Sequence, residues 1–180
     1  MQDTLPIHFA PLQGYTEAIY RNAHDAFFGG VDTYYTPFVR LEKGNFRRRD
    51  VRGIEPENNG VTHLIPQLIA SSAEKAEVIL SLFIEKGYQE VDINLGCPFP
   101  LLAKRHNGSG ILPYPEEVKA LLSIVTRYPQ ISFSVKMRLG WEQPDECLAL
   151  APILNDLPLR QITMHPRLGK QGYKGEVDLQ

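Results

Sequence analysis

Short stretches of apolar or alternating apolar and polar residues recur along the chain, with longer stretches of helical spacing between them. The short runs are IHFAP (7–11), DTYYTPFV (32–39), HLIPQLI (63–69), EVDINL (90–95), SFSVKMR (132–138) and QITMHP (161–166). Each has the length and the β-branched or aromatic content of a strand. Helices are expected over 16–28, 71–87, 114–128 and 144–157. The second opens on Ser71 with Glu74 three residues on and closes on Gly87, the punctuation of a capped helix. The third starts with Pro115, Glu116 and Glu117, residues that suit a first turn and its positive dipole end. In the fourth, Pro152 should bend or end the helix.

Alternating β and α segments fit either an open doubly wound sheet or a closed barrel. No Gly-rich dinucleotide fingerprint follows the first strand, which favours a (β/α)8 TIM barrel. Such a barrel needs eight strands and about 250 residues. The 180-residue chain is therefore expected to supply the first six βα units of one domain, 1–180, incomplete at its C-terminus.

Composition narrows the class. With 43% apolar and 22% charged residues, the chain can bury a core as a globular domain. Its longest apolar runs, such as VILSLFI (78–84), fall well short of the roughly 18 residues of a membrane span. Cys97 and Cys147 lie far apart without metal-ligand spacing, so neither a disulfide framework nor a metal site is expected, and the cytoplasm is the expected compartment. A net charge of −2 excludes a uniformly basic nucleic-acid binder. One run is locally cationic: Arg47, Arg48, Arg49 and Arg52 stand against Asp50 alone. It reads first as a solvated loop and second as a phosphate-contacting patch.

In a barrel of this kind, chemistry gathers where the strands end. Those ends carry Ala10-Pro11-Leu12-Gln13-Gly14, Gln67, Asn94-Leu95-Gly96-Cys97-Pro98, Lys136-Met137-Arg138 and His165-Pro166-Arg167. Each has an ordinary explanation: a hydrogen-bonded core amide for Gln67, a satisfied core histidine for His165, a small buried hydrophobe for Cys97. Lys136 fits a core less well, because a buried ammonium needs an anionic partner. Amides, a thiol, an ammonium and an imidazole at one mouth are more than scattered accidents.

The motifs together resemble the tRNA-dihydrouridine synthases. APLQGYTEAIYR (10–21) is similar to the family's A-P-M-x-G-hydrophobic-T-D-x-x-F-R, and IPQL (65–68) to its glutamine-bearing strand. DINLGCP (92–98), NGSGILPYPEEV (107–118), SVKMRLGW (134–141) and ITMHPR (162–167) match later family segments in order. The resemblance implies FMN bound by the backbone of Pro11, Leu12 and Gln13 and by Gln67, Lys136 and His165. It implies NADPH or NADH as reductant and tRNA as substrate, with Asn94 facing the uracil. Arg138 and Arg167 would meet substrate or phosphate, and Cys97 would be the acid that protonates uracil C5. Gly96 would permit close backbone approach, and Arg47–Arg52, Lys104, Arg105, Lys170 and Lys174 would meet RNA phosphates. No membrane association is implied, and the full-length protein is expected to be a monomer.

Leu12, Gln13 and Glu17 depart from the usual family residues, and 176–179 is only similar to the expected continuation. The last two strands and the helical tRNA-binding domain have no counterpart in the chain. Two rivals follow: a non-catalytic fragment with residual RNA binding, and another FMN barrel acting on a pyrimidine, such as a dihydroorotate dehydrogenase. The Asn-Leu-Gly-Cys-Pro context disfavours the latter.

Overall fold

The computed structural model of the chain describes residues 5–179. The strands are β1 (His8–Phe9), β2 (Thr33–Tyr35), β3 (Leu41–Glu42), β4 (Asn45–Phe46), β5 (Leu64–Ile65), β6 (Gln67–Leu68), β7 (Glu90–Leu95), β8 (Ser132–Gly140) and β9 (Leu159–Leu168). The helices are α1 (Ala18–Phe27), α2 (Arg48–Ile54), α3 (Ala73–Glu85), α4 (Pro100–Ala103), α5 (Pro115–Leu122), α6 (Ile124–Arg127) and α7 (Glu146–Asn155). The fold is mixed α/β. Among the described residues every strand pair is parallel except the β3–β4 hairpin. No helix among them is long and apolar enough to cross a membrane.

Two parallel ladders follow chain order, β1-β2-β5 and β6-β7-β8-β9. The run expected as one strand over 63–69 is divided at Pro66, which has no N–H to give to a ladder. Its first half pairs with β2 and its second with β7. The Pro66 carbonyl still accepts from Asp92 N at 3.0 Å, and a parallel bridge joins Val39 to Leu68, so the interruption leaves the ladders adjacent.

β7 and β8 sort their side chains by alternation. Val91, Ile93 and Leu95, with Phe133, Val135 and Met137, enter one buried cluster. Ala73, Ala76, Ile79, Leu80 and Phe83 of α3 bring helical spacing to the same cluster. Each fully buried large side chain there contributes about 1.5–3 kcal/mol. The opposite face carries Asp92, Asn94, Ser134, Lys136 and Arg138. Register sets these polar residues in rows: Gln67 beside Asp92, Asp92 beside Ser134, Asn94 beside Lys136, and Arg138 beside His165.

Several local expectations are corrected. The arginine run is not a solvated loop. It forms α2, with Asp50, Gly53 and Ile54 buried, and Arg21 ties that helix to α1 by donating to the Gly53 carbonyl at 2.8 Å. The cap of α3 is Ser72, whose hydroxyl accepts from Lys75 N, rather than Ser71. Helix 114–128 divides at Ser123 into α5 and α6. Pro152 does not end its helix; α7 continues for three more residues to Asn155, with buried Leu150 and Leu154 anchoring it on both sides of the proline. The β3–β4 hairpin was not foreseen. Its central residues, Lys43 and Gly44, both have positive φ, as the tight hairpin turn requires.

Candidate active site

A chain of side-chain amides crosses the polar face. The carboxylate of Asp92 accepts from Ser134 Oγ at 2.6 Å and from Gln67 Nε2 at 2.6 Å. Gln67 Oε1 accepts from Asn94 Nδ2 at 2.7 Å. Asn94 Oδ1 accepts from the backbone N–H groups of Gly96 and Cys97 at 3.0 and 2.9 Å. The Cys97 end is fixed by chemistry, since a backbone N–H only donates. The orientation of both amides follows. Gln67 and Asn94, expected to be ligand contacts, thus spend most of their capacity holding the turn that carries Cys97, and each keeps one N–H. Asp92 was not singled out in the sequence, although its signal was there: a carboxylate two residues before Asn94 on the same face of a strand.

The Cys97 turn is clamped from its other side. The Cys97 carbonyl accepts from Ser109 N at 3.0 Å and Ser109 Oγ at 2.9 Å. A Cβ added at Gly108, where φ is +60°, would lie 2.6 Å from the Cys97 carbonyl oxygen and 2.8 Å from Cys97 Cβ. At Gly96 the same addition meets nothing nearer than 3.5 Å. The close approach expected at Gly96 is therefore made at Gly108. Gly108→Ala should cost roughly 2–4 kcal/mol through left-handed strain plus the clash, read as a lowered urea midpoint. A midpoint unchanged from wild type would show that the turn yields freely.

Burial pushes the Cys97 thiol up and pulls the Lys136 ammonium down, the latter opposed by Asp92. The Lys136 ammonium makes no hydrogen bond or ion pair among the described residues; Asp92 acts on it only through charge. His165 is pushed down to about 4, by burial first and then by Arg138, Lys136 and Arg167. It is neutral at pH 7, and its Nε2 accepts from Arg167 Nη1 at 3.1 Å, which places its proton on Nδ1. Arg138 is buried, and its donors go to the carbonyls of Gly96 (2.9 Å), Leu168 (2.9 Å) and Gly172 (2.7 Å). Its guanidinium also lies 5.4 Å from the centre of the Tyr173 ring. Arg167 donates from Nε and Nη2 to the Gly175 carbonyl at 3.2 and 3.1 Å. With these bonds the two arginines, expected to meet substrate or phosphate, hold the turn at Gly96 and the turns after β9.

Two connected spaces meet here. An inner chamber of about 60 Å³ is lined by Pro11, Gln13, Gln67, Asn94, Cys97, Lys136, Arg138 and His165, with Tyr173 over it. An outer groove of about 920 Å³ shares Gln13, Phe38, Cys97 and Tyr173 with it. The groove adds Leu12, Tyr15, Phe99 and Trp141 as apolar and aromatic walls and Arg40, Arg47, Lys170 and Lys174 as cations. Its volume suits a small-molecule site, for which ~300–1,000 Å³ is typical; the inner chamber alone does not. Arg167 lines neither space, and Lys104 faces a separate cavity behind Trp141. Trp141 and Tyr173 were not predicted. Trp141 is held by Glu146, whose carboxylate accepts from the backbone N–H groups of Trp141, Glu142 and Gln143. Gly169 also packs so closely on the indole that an added Cβ would lie 2.2 Å from it.

Among the described residues, one side chain shared by both spaces has its whole polar end unpartnered. Both Nε2 and Oε1 of Gln13 are buried from solvent without a hydrogen bond among the described residues. An unmet buried amide of this kind costs about 1–3 kcal/mol for each group.

Comparison with known proteins places the constellation in a family. The family model described as Dihydrouridine synthase (Dus) matches residues 8–180. The chain belongs to the dihydrouridine synthase family. "Probable tRNA-dihydrouridine synthase 1" of Synechocystis sp. is 29% identical to it over 175 residues, which covers 93% of this chain and 47% of that protein. "tRNA-dihydrouridine(16) synthase" of Haemophilus ducreyi is 28% identical over 180 residues, covering 94% of this chain and 54% of that one. "tRNA-dihydrouridine synthase B" of Vibrio cholerae is 32% identical over 114 residues, 63% of this chain and 33% of that one. The dihydrouridine synthase chain described here thus spans about half the length of the first two.

Proposed function

We propose that this chain is the catalytic portion of a tRNA-dihydrouridine synthase, an FMN- and NAD(P)H-dependent oxidoreductase that reduces the C5=C6 bond of specific uridines in tRNA. The observation that carries the reading is the convergence of a clamped cysteine, a desolvated lysine and a neutral histidine on one chamber beneath an aromatic, cationic groove. The relatives' names supply the substrate class. The parallel ladders are read as the first six units of a (β/α)8 barrel within a longer, monomeric cytoplasmic protein.

The residues present fit a flavin. A hydrogen-bonding ring system that gains negative charge on reduction would answer the Lys136 ammonium and the Gln13 amide, both without a hydrogen bond among the described residues. Pro11, Leu12 and Gln13 would line it through their backbone, with Gln67, Lys136 and His165 at its edges. When bound, reduced FMN supplies the hydride that adds to uracil C6.

The protein's own work is then to place and protonate. Electron density released onto C5 needs a proton, and Cys97 holds one, since burial keeps its thiol protonated at neutral pH. Asn94 offers its remaining N–H to the base and fixes the Cys97 backbone. Lys136 stabilises negative charge beside the reacting ring. Arg138 and Arg167 shape the chamber through the turns they hold. Because the target base is stacked in folded RNA, it must be drawn out of its stack. Trp141, Phe99 and Tyr173 offer faces for stacking, and Arg47, Lys170 and Lys174 offer charge to phosphates.

The test is optical. Chain mixed with excess FMN and passed through a desalting column should retain a flavin absorbance band at about 450 nm. A colourless, folded chain would reject the flavin assignment.

A further inference from the structure

We propose that the side-chain amide of Gln13 is the receptor for a cyclic imide edge, the O=C–N–H array shared by uracil and by the flavin ring. This deepens the flavin and uridine chemistry proposed above and rests on it. The residue sits at the corner of a closed turn: Leu12 O accepts from Tyr15 N and Thr16 N, both at 3.0 Å, and Leu12 N donates to Thr16 Oγ1 at 2.9 Å. Gly14, at φ +88°, completes that turn. The backbone is thus satisfied locally, and the amide is projected to where inner chamber and outer groove meet.

The neighbouring groups leave it unclaimed. Gln67 and Asn94 are bonded to each other and to Asp92 and the Cys97 turn. Arg138 directs its Nε and Nη1 donors to three backbone carbonyls and none to Gln13. Both polar atoms of Gln13 nevertheless lie out of water and unpaired among the described residues. A carboxamide presents one donor and one acceptor side by side, the complement of an imide's carbonyl and N–H. The two glutamines of the site therefore divide the work: Gln67 holds the wall, and Gln13 reads what enters.

The experiment compares wild type with Gln13→Met, which keeps the length of the side chain and removes both polar atoms. In one arm FMN and 3-methyl-FMN are titrated into the chain. In the other, uridine 5′-monophosphate and 3-methyluridine 5′-monophosphate are titrated with and without FMN present. Wild type should prefer the unmethylated ligand about ten-fold or more in at least one arm, the loss of two hydrogen bonds being of that order. Gln13→Met should erase the preference, and the arm in which this happens identifies the ligand. Ligand-free Gln13→Met should melt at the same temperature as wild type or higher, because it removes an unmet buried amide. The inference is overturned if wild type binds but does not discriminate, if Gln13→Met still discriminates in both arms, or if its melting temperature falls, since a fall would mean that the amide is paired in the fold. Wild type that binds neither FMN nor the nucleotide would sink the functional reading itself, and this inference with it.

Discussion

Replacing Cys97 with alanine should slow dihydrouridine formation by about 10²–10⁴-fold, the usual contribution of a positioned general acid, while FMN uptake stays at the wild-type level. The thiol lies at the junction of chamber and groove, on a turn fixed by Asn94 and Ser109. Burial raises its pKa, so the proton-bearing form persists through neutral pH. The rate should fall only as pH rises past the ordinary thiol range of about 8.5. The measurement is dihydrouridine content of a tRNA transcript, by mass spectrometry, after reaction with the full-length enzyme. An unchanged rate in Cys97→Ala would remove the thiol from the proton transfer. The acid would then have to come from elsewhere in the chamber, and the Lys136 ammonium, whose pKa burial lowers, would be the first candidate.

The second large effect is on stability. Arg138→Met should destabilise the chain by about 3–5 kcal/mol, because it strands three carbonyls that a single buried guanidinium now serves. Those carbonyls belong to Gly96, Leu168 and Gly172, so the cost falls on the Cys97 turn and on both ends of the turn after β9. Arg138→Lys should recover little, since a point charge on a flexible stem cannot reproduce the planar fork. Urea denaturation of both variants measures this. A loss below about 1 kcal/mol, in the range of an ordinary surface substitution, would mean that Arg138 is free to meet a ligand, as first expected from the sequence.

The strands and the residues at their ends were readable because burial and alternation leave a direct trace in sequence. EVDINL, SFSVKMR and QITMHP became the paired core of the larger ladder, and the cysteine, lysine and histidine they deliver do face one chamber. What was not readable depended on distance. Nothing local in DINLGCP says that Asp92 reaches Gln67 on one neighbouring strand and Ser134 on the other. The free amide of Gln13 looks the same in sequence as the bound amide of Gln67. The carbonyl partners of Arg138 and Arg167 were hidden for the same reason: a charged residue at a strand end signals a partner, but backbone carbonyls leave no mark in the sequence. α2 was hidden by its arginines, which outnumber the buried Asp50 and Ile54 that fasten it. The β3–β4 hairpin has too few residues on each side of Lys43-Gly44 for periodicity to show.

The relay from Asp92 to Cys97 has a further consequence for motion. Its links lie on β6, β7 and β8, so the acid's turn cannot let go without parting three neighbouring strands. Loops that bear catalytic groups are often the first part of a protein to open, and they exchange their amide protons through small local fluctuations. Here the Cys97 N–H is bound to a side chain wired into the sheet, and its exchange is tied to the opening of the sheet as a whole. The chamber and the core beneath it are thus expected to open as one cooperative unit, with the Cys97 amide exchanging as slowly as those of β7 and β8.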